Sequence, residues 1–209
     1  MSKIRALTPL IALSVIVAAQ SAVSQQDNWK NAAMDGGLPS ARIGSTVADF
    51  SLPDTDGTLH SLASLKGQRG TVLIFISVQC PVSNAYNERM EKLAQEYASR
   101  GVNVVGINSN VTETAEAVKN HAAEHHLTFL ILKDKGNVVA DTLGAQHTPE
   151  AFLLDANNQL VYHGRIDSAK DATKVSRSDL REAIEEVLAG KAVSKPQSVA
   201  FGCTIKRVS

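Results

Sequence analysis

The sequence predicts an α/β sandwich with a mixed central sheet. Apolar, β-branched runs such as TVLIFIS (71–77) lack polar alternation, which is typical of strands buried on both faces. These runs alternate with amphipathic stripes of helical period, and such alternation favours a central parallel pair of strands. Later in the chain, EAFLLD and QLVYHGRI flank ANNQ, which predicts an antiparallel hairpin at the sheet edge.

The first 24 residues have the pattern of an export signal. Two positive charges in MSKIR precede the apolar segment ALTPLIALSVIVAA, and Ala22 and Ser24 are spaced like a cleavage site before Gln25. A retained anchor is the alternative, although the segment is short for a membrane span. We expect a signal peptide over residues 1–24, no stable membrane insertion after its cleavage, and a periplasmic or extracellular protein. Disulfides persist in such compartments.

The first half of the mature chain is predicted to run from a loose arm into a strand and a helix. The arm covers residues 25–42, and the dipeptide DG (56–57) predicts a tight turn between two short strands. The buried strand at 71–77 then leads directly into Cys80. Beyond it, apolar residues recur with helical period up to Gly101, which predicts one amphipathic helix.

The second half continues the alternation and ends in a polar tail. VNVVGINS predicts a second buried strand, residues 112–126 a helix, LTFLIL a short strand and NVVADTLG a short helix. After the hairpin, Ser178 can cap a last helix that closes at Gly190. We therefore expect one domain over 43–190 and a tail over 191–209 that carries Cys203.

Cys80 stands where a redox protein would place a reactive thiol, between a buried strand and the first turn of a helix. Unpaired N–H groups and the helix dipole favour thiolate there, and Pro81 suits the first turn because its missing N–H is not needed. A local dithiol motif would have a second cysteine at Ser83. The alternative is a buried free cysteine that only fills space.

The chain resembles the thioredoxin-fold redoxins, the group that includes AhpC/TSA peroxiredoxins and exported thioredoxin-like reductases. VADFSLPDTDGTLHSLASLKGQRGTVLIFISVQCPVS and HTPEAFLLDANNQLVYHGRI carry the resemblance, which extends over about residues 43–190. It implies a thioredoxin-like three-layer sandwich with a central mixed sheet and a redox-active centre. It also implies a cis peptide bond at Thr148-Pro149, beside the active cysteine.

The same resemblance suggests further site residues, with departures from the family pattern. Ser77 holds the place of the peroxiredoxin threonine and keeps a hydroxyl, whereas Leu73 stands where the pattern has proline. Peroxiredoxins use an arginine to hold the thiolate and polarise the peroxide, and Arg165 is the candidate for that role. The alternative is a surface arginine paired with Asp167, and exposed pairs of this kind contribute little.

Cys203 is the second cysteine of the chain and the expected partner of Cys80. A bond between them would close a loop of about 120 residues and stabilise the fold by about 4–5 kcal/mol in the chain-entropy model. That magnitude fits a structural clasp as well as a catalytic disulfide. A free Cys80 with an external partner, or a metal site, also remains open.

A copper site is the alternative from a different functional class. HTPEAFLLD is similar to a segment of the copper chaperones that serve cytochrome oxidase assembly, in which a histidine joins two cysteines. Here the ligands would be Cys80, His147 and Cys203, and thiolate with imidazole suits Cu(I). Those chaperones have a second cysteine four residues earlier, where this chain has Ile76.

The sequence therefore predicts an exported thiol-dependent oxidoreductase with antioxidant or reductase activity and no cofactor. Cys80 would reduce a peroxide or a protein disulfide, Cys203 would resolve the intermediate, and the partner would be a thiol electron donor or a disulfide-bearing protein. The zero net charge and dispersed Lys and Arg residues exclude an obvious nucleic-acid partner. A copper-binding assembly factor and a non-catalytic module with a structural disulfide are the alternatives.

Overall fold

The structure, a computed structural model, describes residues 41–208. The predicted signal peptide and nearly all of the predicted arm lie outside the described residues. Over 41–208, we find no helix with the length and apolar character needed to cross a membrane.

The elements alternate along the chain as the sequence predicts. The strands are β1 (Ser51–Pro53), β2 (Leu59–Ser61), β3 (Gly70–Phe75), β4 (Val102–Asn108), β5 (Ile131–Lys133), β6 (His147–Thr148), β7 (Glu150–Asp155), β8 (Leu160–Gly164) and β9 (Cys203–Thr204). The helices are α1 (Leu62–Leu65), α2 (Pro81–Asn84), α3 (Asn87–Ala98), α4 (Ala115–Glu124), α5 (Val138–Leu143) and α6 (Asp179–Leu188), with a 3₁₀ turn at Ala172–Lys174.

A mixed sheet forms the centre of the described chain, with five strands in the order β5-β4-β3-β7-β8. The pairs β3–β4 and β4–β5 are parallel, and β3–β7 and β7–β8 are antiparallel. The predicted parallel pair and edge hairpin are thereby confirmed. All six residues of β3 are buried, because both faces of this strand are covered.

Helices cover both faces of the sheet and give three layers. On one face α3 and α6 pack against the sheet through Val72, Ile74, Met90, Leu93, Tyr97, Leu180 and Ile184. On the other face α1 and α5 pack through Leu62, Leu65, Leu73, Phe75, Val139 and Leu143, and Ile205 of the tail joins them. The predicted three-layer sandwich is confirmed.

The helix after Cys80 is interrupted, contrary to the single helix that the sequence predicts. α2 ends at Asn84, and α3 begins at Asn87 after a break at Tyr86. The Tyr86 side chain is buried and its hydroxyl donates to Asp167 Oδ1 at 2.9 Å and to the Ala169 carbonyl at 3.0 Å. These tertiary contacts accompany the break, which the periodicity of the apolar residues does not reveal.

The C-terminal tail returns across the domain and pairs with β6. The His163 N–H donates to the Pro196 carbonyl at 2.9 Å, and further on β9 forms an antiparallel ladder with β6. The approach is very close at Gly202, where an added Cβ would lie 2.0 Å from the Thr148 carbonyl oxygen. Glycine is therefore required for this packing.

Candidate functional site

Cys80 lies at the junction of β3 and α2, and its sulfur is enclosed. The residue is 2% exposed and is the N-cap of α2, where its Sγ accepts a hydrogen bond from the Ser83 N–H at 3.3 Å. Its thiol donates to the Thr148 carbonyl at 3.2 Å. Pro81 begins the helix, as predicted. Ser83 is buried, and its hydroxyl oxygen accepts the Ser77 N–H at 3.2 Å.

The tail brings Cys203 to Cys80. The Thr148-Pro149 bond is cis, as the resemblance implies, and Thr148 is the residue opposite Cys203 in the β6–β9 ladder. The two cysteines are not bonded to each other, and both line the same small cavity. Thr148 therefore contacts the Cys80 thiol through its carbonyl and pairs with the Cys203 backbone across the ladder.

The surroundings give the two thiols different acidities. Burial by itself would raise the pKa of the Cys80 thiol, but hydrogen bonds from the Cys203 side chain, the Ser83 N–H and the Thr148 side chain outweigh burial and lower it. The pKa of Cys203 is raised by its hydrogen bond to Cys80, then by burial and by the charge of a Cys80 thiolate. Cys80 is therefore the more acidic thiol of the pair.

A buried carboxylate, Glu113, organises the loop that precedes Cys80. Its Oε1 accepts the Ser77 hydroxyl at 2.6 Å and the Gln79 N–H at 3.1 Å, and its Oε2 accepts the Val78 N–H at 3.1 Å. Glu113 is 2% exposed. Glu113 was not predicted from the sequence, although its position directly before the helix N-cap Thr114 is a signal for an acid that interacts with a helix start.

Amide and ammonium groups complete the polar cluster behind Glu113. Asn108 Nδ2 donates to Glu113 Oε2 at 2.5 Å, and Asn110 Nδ2 donates to Glu113 Oε1 at 3.2 Å. The Lys133 ammonium donates to Asn108 Oδ1 at 2.6 Å and to the Asn110 carbonyl at 2.7 Å. Burial lowers the pKa of Lys133, while the charge of Glu113 opposes that shift.

A small polar cavity of about 140 Å³ lies beside the two sulfurs. Its lining consists of Ser77, Gln79, Cys80, Asn110, Glu113, Cys203, Thr204 and Lys206. The cavity therefore has room for a small polar molecule but not for a polypeptide.

Arg165 lies at the end of β8, and its guanidinium contacts an acid on α6. Its Nε donates to Asp179 Oδ2 at 2.7 Å, and this ion pair raises the pKa of Arg165. The alternative pairing with Asp167 is wrong, because Asp167 instead accepts Arg89 Nη1 at 2.6 Å. The role of Arg165 in holding the thiolate stays a prediction, and the contacts found for its side chain do not include Cys80.

His147 lies on β6, one residue before Thr148. Its N–H donates to Glu150 Oε2 at 2.8 Å, and its backbone is paired with Thr204. Among residues 41–208, no three or more His, Cys, Asp or Glu side chains are grouped closely enough to hold a metal ion. Cys80, His147 and Cys203 therefore do not form a ligand set in this conformation, and copper binding stays a prediction.

Comparisons with known proteins identify the family of this chain. The model of the AhpC/TSA family matches residues 43–163. A thiol-disulfide oxidoreductase ResA from Halalkalibacterium halodurans is 32% identical over 121 residues, which is 58% of this chain and 67% of that protein.

Among solved structures, a hypothetical protein from Sinorhizobium meliloti 1021 is 39% identical with a TM-score of 0.75, and the match covers 82% of this chain and 97% of that chain. The thioredoxin domain of a thiol-disulfide oxidoreductase from Bacteroides vulgatus, at 19% identity and a TM-score of 0.53, covers 59% of this chain and 89% of that one and shows the fold. The chain is thus a thioredoxin-fold oxidoreductase and belongs to the AhpC/TSA family.

Proposed function

We propose that this protein is a thiol–disulfide oxidoreductase that reduces disulfides in other proteins, with Cys80 as the attacking thiolate and Cys203 as the resolving thiol. The observation that carries the proposal is that Cys80 and Cys203 line the same small cavity, where β9 brings Cys203 opposite Thr148. The ResA relatives are thiol-disulfide oxidoreductases, which supports the same reaction class here.

The reaction proceeds in two exchange steps. The Cys80 thiolate attacks a substrate disulfide, which forms a mixed disulfide and releases one substrate thiolate. Cys203 then loses its proton and attacks Cys80 Sγ, which forms the Cys80–Cys203 disulfide and releases the second substrate thiolate. Two electrons pass from the cysteine pair to the substrate, and the released thiolates take up protons. An external dithiol donor reduces the pair again.

The first step requires that the substrate disulfide reach the sulfur of Cys80. Cys80 is 2% exposed, and Cys203 of β9 lines the same cavity, so we expect a protein disulfide to reach Cys80 only when β9 moves off β6. The ladder between these strands has two residue pairs, His147 with Thr204 and Thr148 with Cys203. Opening it therefore costs about 1–3 kcal/mol in backbone hydrogen bonds.

Peroxide reduction is the second candidate, and the small polar cavity favours it. Attack of the Cys80 thiolate on hydrogen peroxide, with one proton, would give a sulfenic acid and water, and the Cys203 thiol would condense with it to a disulfide and a second water. A peroxide fits the cavity of about 140 Å³ without opening the tail.

One experiment separates the two candidates. The mature protein is reduced in metal-free buffer and mixed with stoichiometric hydrogen peroxide or with a scrambled-disulfide protein, and free thiols and intact mass are followed. Faster formation of the Cys80–Cys203 disulfide with the disulfide substrate supports the proposal. Faster formation with peroxide would establish a peroxidase instead, and the variant Cys80→Ser should abolish either reaction.

We also propose that the protein is exported and cleaved before Gln25. The charged, apolar and small-residue parts of residues 1–24 support this proposal. Expression of the full chain in a Gram-negative host, followed by fractionation and intact mass, should give a periplasmic species that begins at Gln25. A cytoplasmic full-length species would refute export.

A further inference from the structure

The tail beyond Cys203 is held by two buried asparagines. The Lys206 N–H donates to Asn110 Oδ1 at 2.7 Å, and the Val208 N–H donates to Asn137 Oδ1 at 2.9 Å. Asn110 is 4% exposed and Asn137 is 2% exposed, so water does not compete freely for either acceptor. Each amide oxygen therefore fixes one main-chain group of the tail.

The amide nitrogen of each asparagine also donates a hydrogen bond, which fixes the orientation of the side chain. Asn110 Nδ2 donates to Glu113, and Asn137 Nδ2 donates to the Ser109 carbonyl at 2.5 Å. The Val111 N–H adds a bond to the Lys206 carbonyl at 3.0 Å. The two acceptors are thus each held by a second hydrogen bond, in the loops that follow β4 and β5.

The short β6–β9 ladder does not by itself explain the placement of Cys203. It has two residue pairs, and such a ladder is marginal in water. A shift of one residue would turn Cys203 to the opposite face of the strand and away from Cys80. Bonds at Lys206 and Val208 exclude this shift, because they fix the tail three and five residues beyond Cys203.

We propose that Asn110 and Asn137 are positioning residues for the resolving step, which hold the tail in the register that presents Cys203 to Cys80. This inference rests on the proposed function, in which Cys203 resolves a Cys80 mixed disulfide. The geometry of the pair then depends on two asparagines in the loops that follow β4 and β5.

The test measures the equilibrium constant for conversion of the dithiol and oxidised glutathione into the Cys80–Cys203 disulfide and two reduced glutathiones. This constant reports how well Cys203 is presented to Cys80. Asn110→Ala and Asn137→Gly each remove one anchor, and glycine suits position 137 because its φ is +58°. We expect each variant to lower the constant about fivefold, the effect of one hydrogen bond.

Asn103→Ala is the matched control. Its Nδ2 donates to the Leu65 carbonyl at 2.7 Å, away from the tail. If loss of any such hydrogen bond lowered the constant through general destabilisation, Asn103→Ala would lower it as well. Circular dichroism must show that every variant is folded in both redox states at the temperature used.

The outcomes separate the inference from the proposed function. If wild-type protein forms no Cys80–Cys203 disulfide with glutathione, the proposed function fails. If it does, but both anchor variants stay within twofold of wild type or Asn103→Ala lowers the constant equally, the positioning role is refuted. A selective decrease in both anchor variants supports it.

Discussion

The Thr148 carbonyl accepts the Cys80 thiol at 3.2 Å, and the same residue faces Cys203 across the β6–β9 ladder. One residue before the cis proline therefore sets the position of both sulfurs. The acidities of the two thiols differ as a result, because interaction with the Cys203 side chain lowers the pKa of Cys80 and raises that of Cys203.

Cys203→Ala should raise the pKa of Cys80, because it removes a hydrogen bond that stabilises the thiolate. Cys203→Ser retains a donor and should raise it less. The pH dependence of Cys80 alkylation by iodoacetamide measures both effects, and neither variant contains a second thiol. Equal pKa values for Cys80 in wild type and Cys203→Ala would contradict the hydrogen bond.

Gly202→Ala should displace the tail and expose Cys80. The new Cβ would lie 2.0 Å from the Thr148 carbonyl oxygen, so the β6–β9 ladder must open. A loss of about 1–2 kcal/mol in tail docking enlarges the open population about five- to thirtyfold. The rate of Cys80 labelling by a bulky maleimide in a Cys203→Ser background should rise accordingly.

Gly190→Ala controls for the glycine conformation itself. This residue also has a positive φ, +69°, but an added Cβ there meets nothing within 4 Å. Its labelling rate should match that of the parent protein. A rise as large as that of Gly202→Ala would show that backbone strain, rather than contact with Thr148, releases the tail.

Glu113→Gln should destabilise the protein by about 1–3 kcal/mol per unsatisfied group and slow the reaction of Cys80. Five donors surround the carboxylate, from Ser77, Val78, Gln79, Asn108 and Asn110. A glutamine must turn its NH₂ group toward at least two of them, because each carboxylate oxygen accepts two or more.

Urea denaturation and the rate of Cys80 alkylation measure these two effects of Glu113→Gln. The variant Glu116→Gln, at an exposed position, provides the control. Unchanged stability of Glu113→Gln relative to this control would show that the loop does not depend on the carboxylate.

Glu150 should stabilise the folded protein at neutral pH and lose this effect in acid. Burial would raise the pKa of Glu150, but the bonds to His163 and to the His147 and Gln146 amides outweigh it and lower the pKa. The pKa of Glu150 is thus lower in the folded protein than the value of 4.5 expected in the unfolded chain. Its contribution to the free energy of unfolding is therefore fully present above pH 4.5 and is lost as the pH falls through the pKa of the folded state.

The pH dependence of unfolding tests this contribution. Wild type should be more stable than Glu150→Gln at neutral pH, by about 1–3 kcal/mol, and the difference should shrink as pH falls below about 4.5. Glu124→Gln, at an exposed position, should show no such convergence. A constant difference between wild type and Glu150→Gln would rule out the linkage.

Local patterns predicted the framework of the site but not its long-range contacts. The buried run before Cys80, the proline after it and the hairpin after Pro149 are local signals, and the structure contains all three. Glu113 lies in NSNVTET, which is typical of a polar loop. Its burial depends on donors from a loop more than 30 residues earlier in the chain.

The ion-pair partner of Arg165 and the pairing of β9 with β6 could not be predicted from the sequence, because both join distant parts of the chain. Arg165 pairs with Asp179 and not with the nearer Asp167, because α6 brings its first turn against the end of β8. The β6–β9 pairing joins residues 55 positions apart through two residue pairs, too few for any periodicity to mark it.

The tail pairing also orders the events of folding. Cys80 and all five central strands precede residue 165, whereas the second sulfur arrives only at residue 203. Contacts of large sequence separation close slowly, because loop entropy is lost before they form. The central sheet and Cys80 can therefore be in place before the tail docks, whereas Cys203 reaches Cys80 only when the last strand pairs with β6.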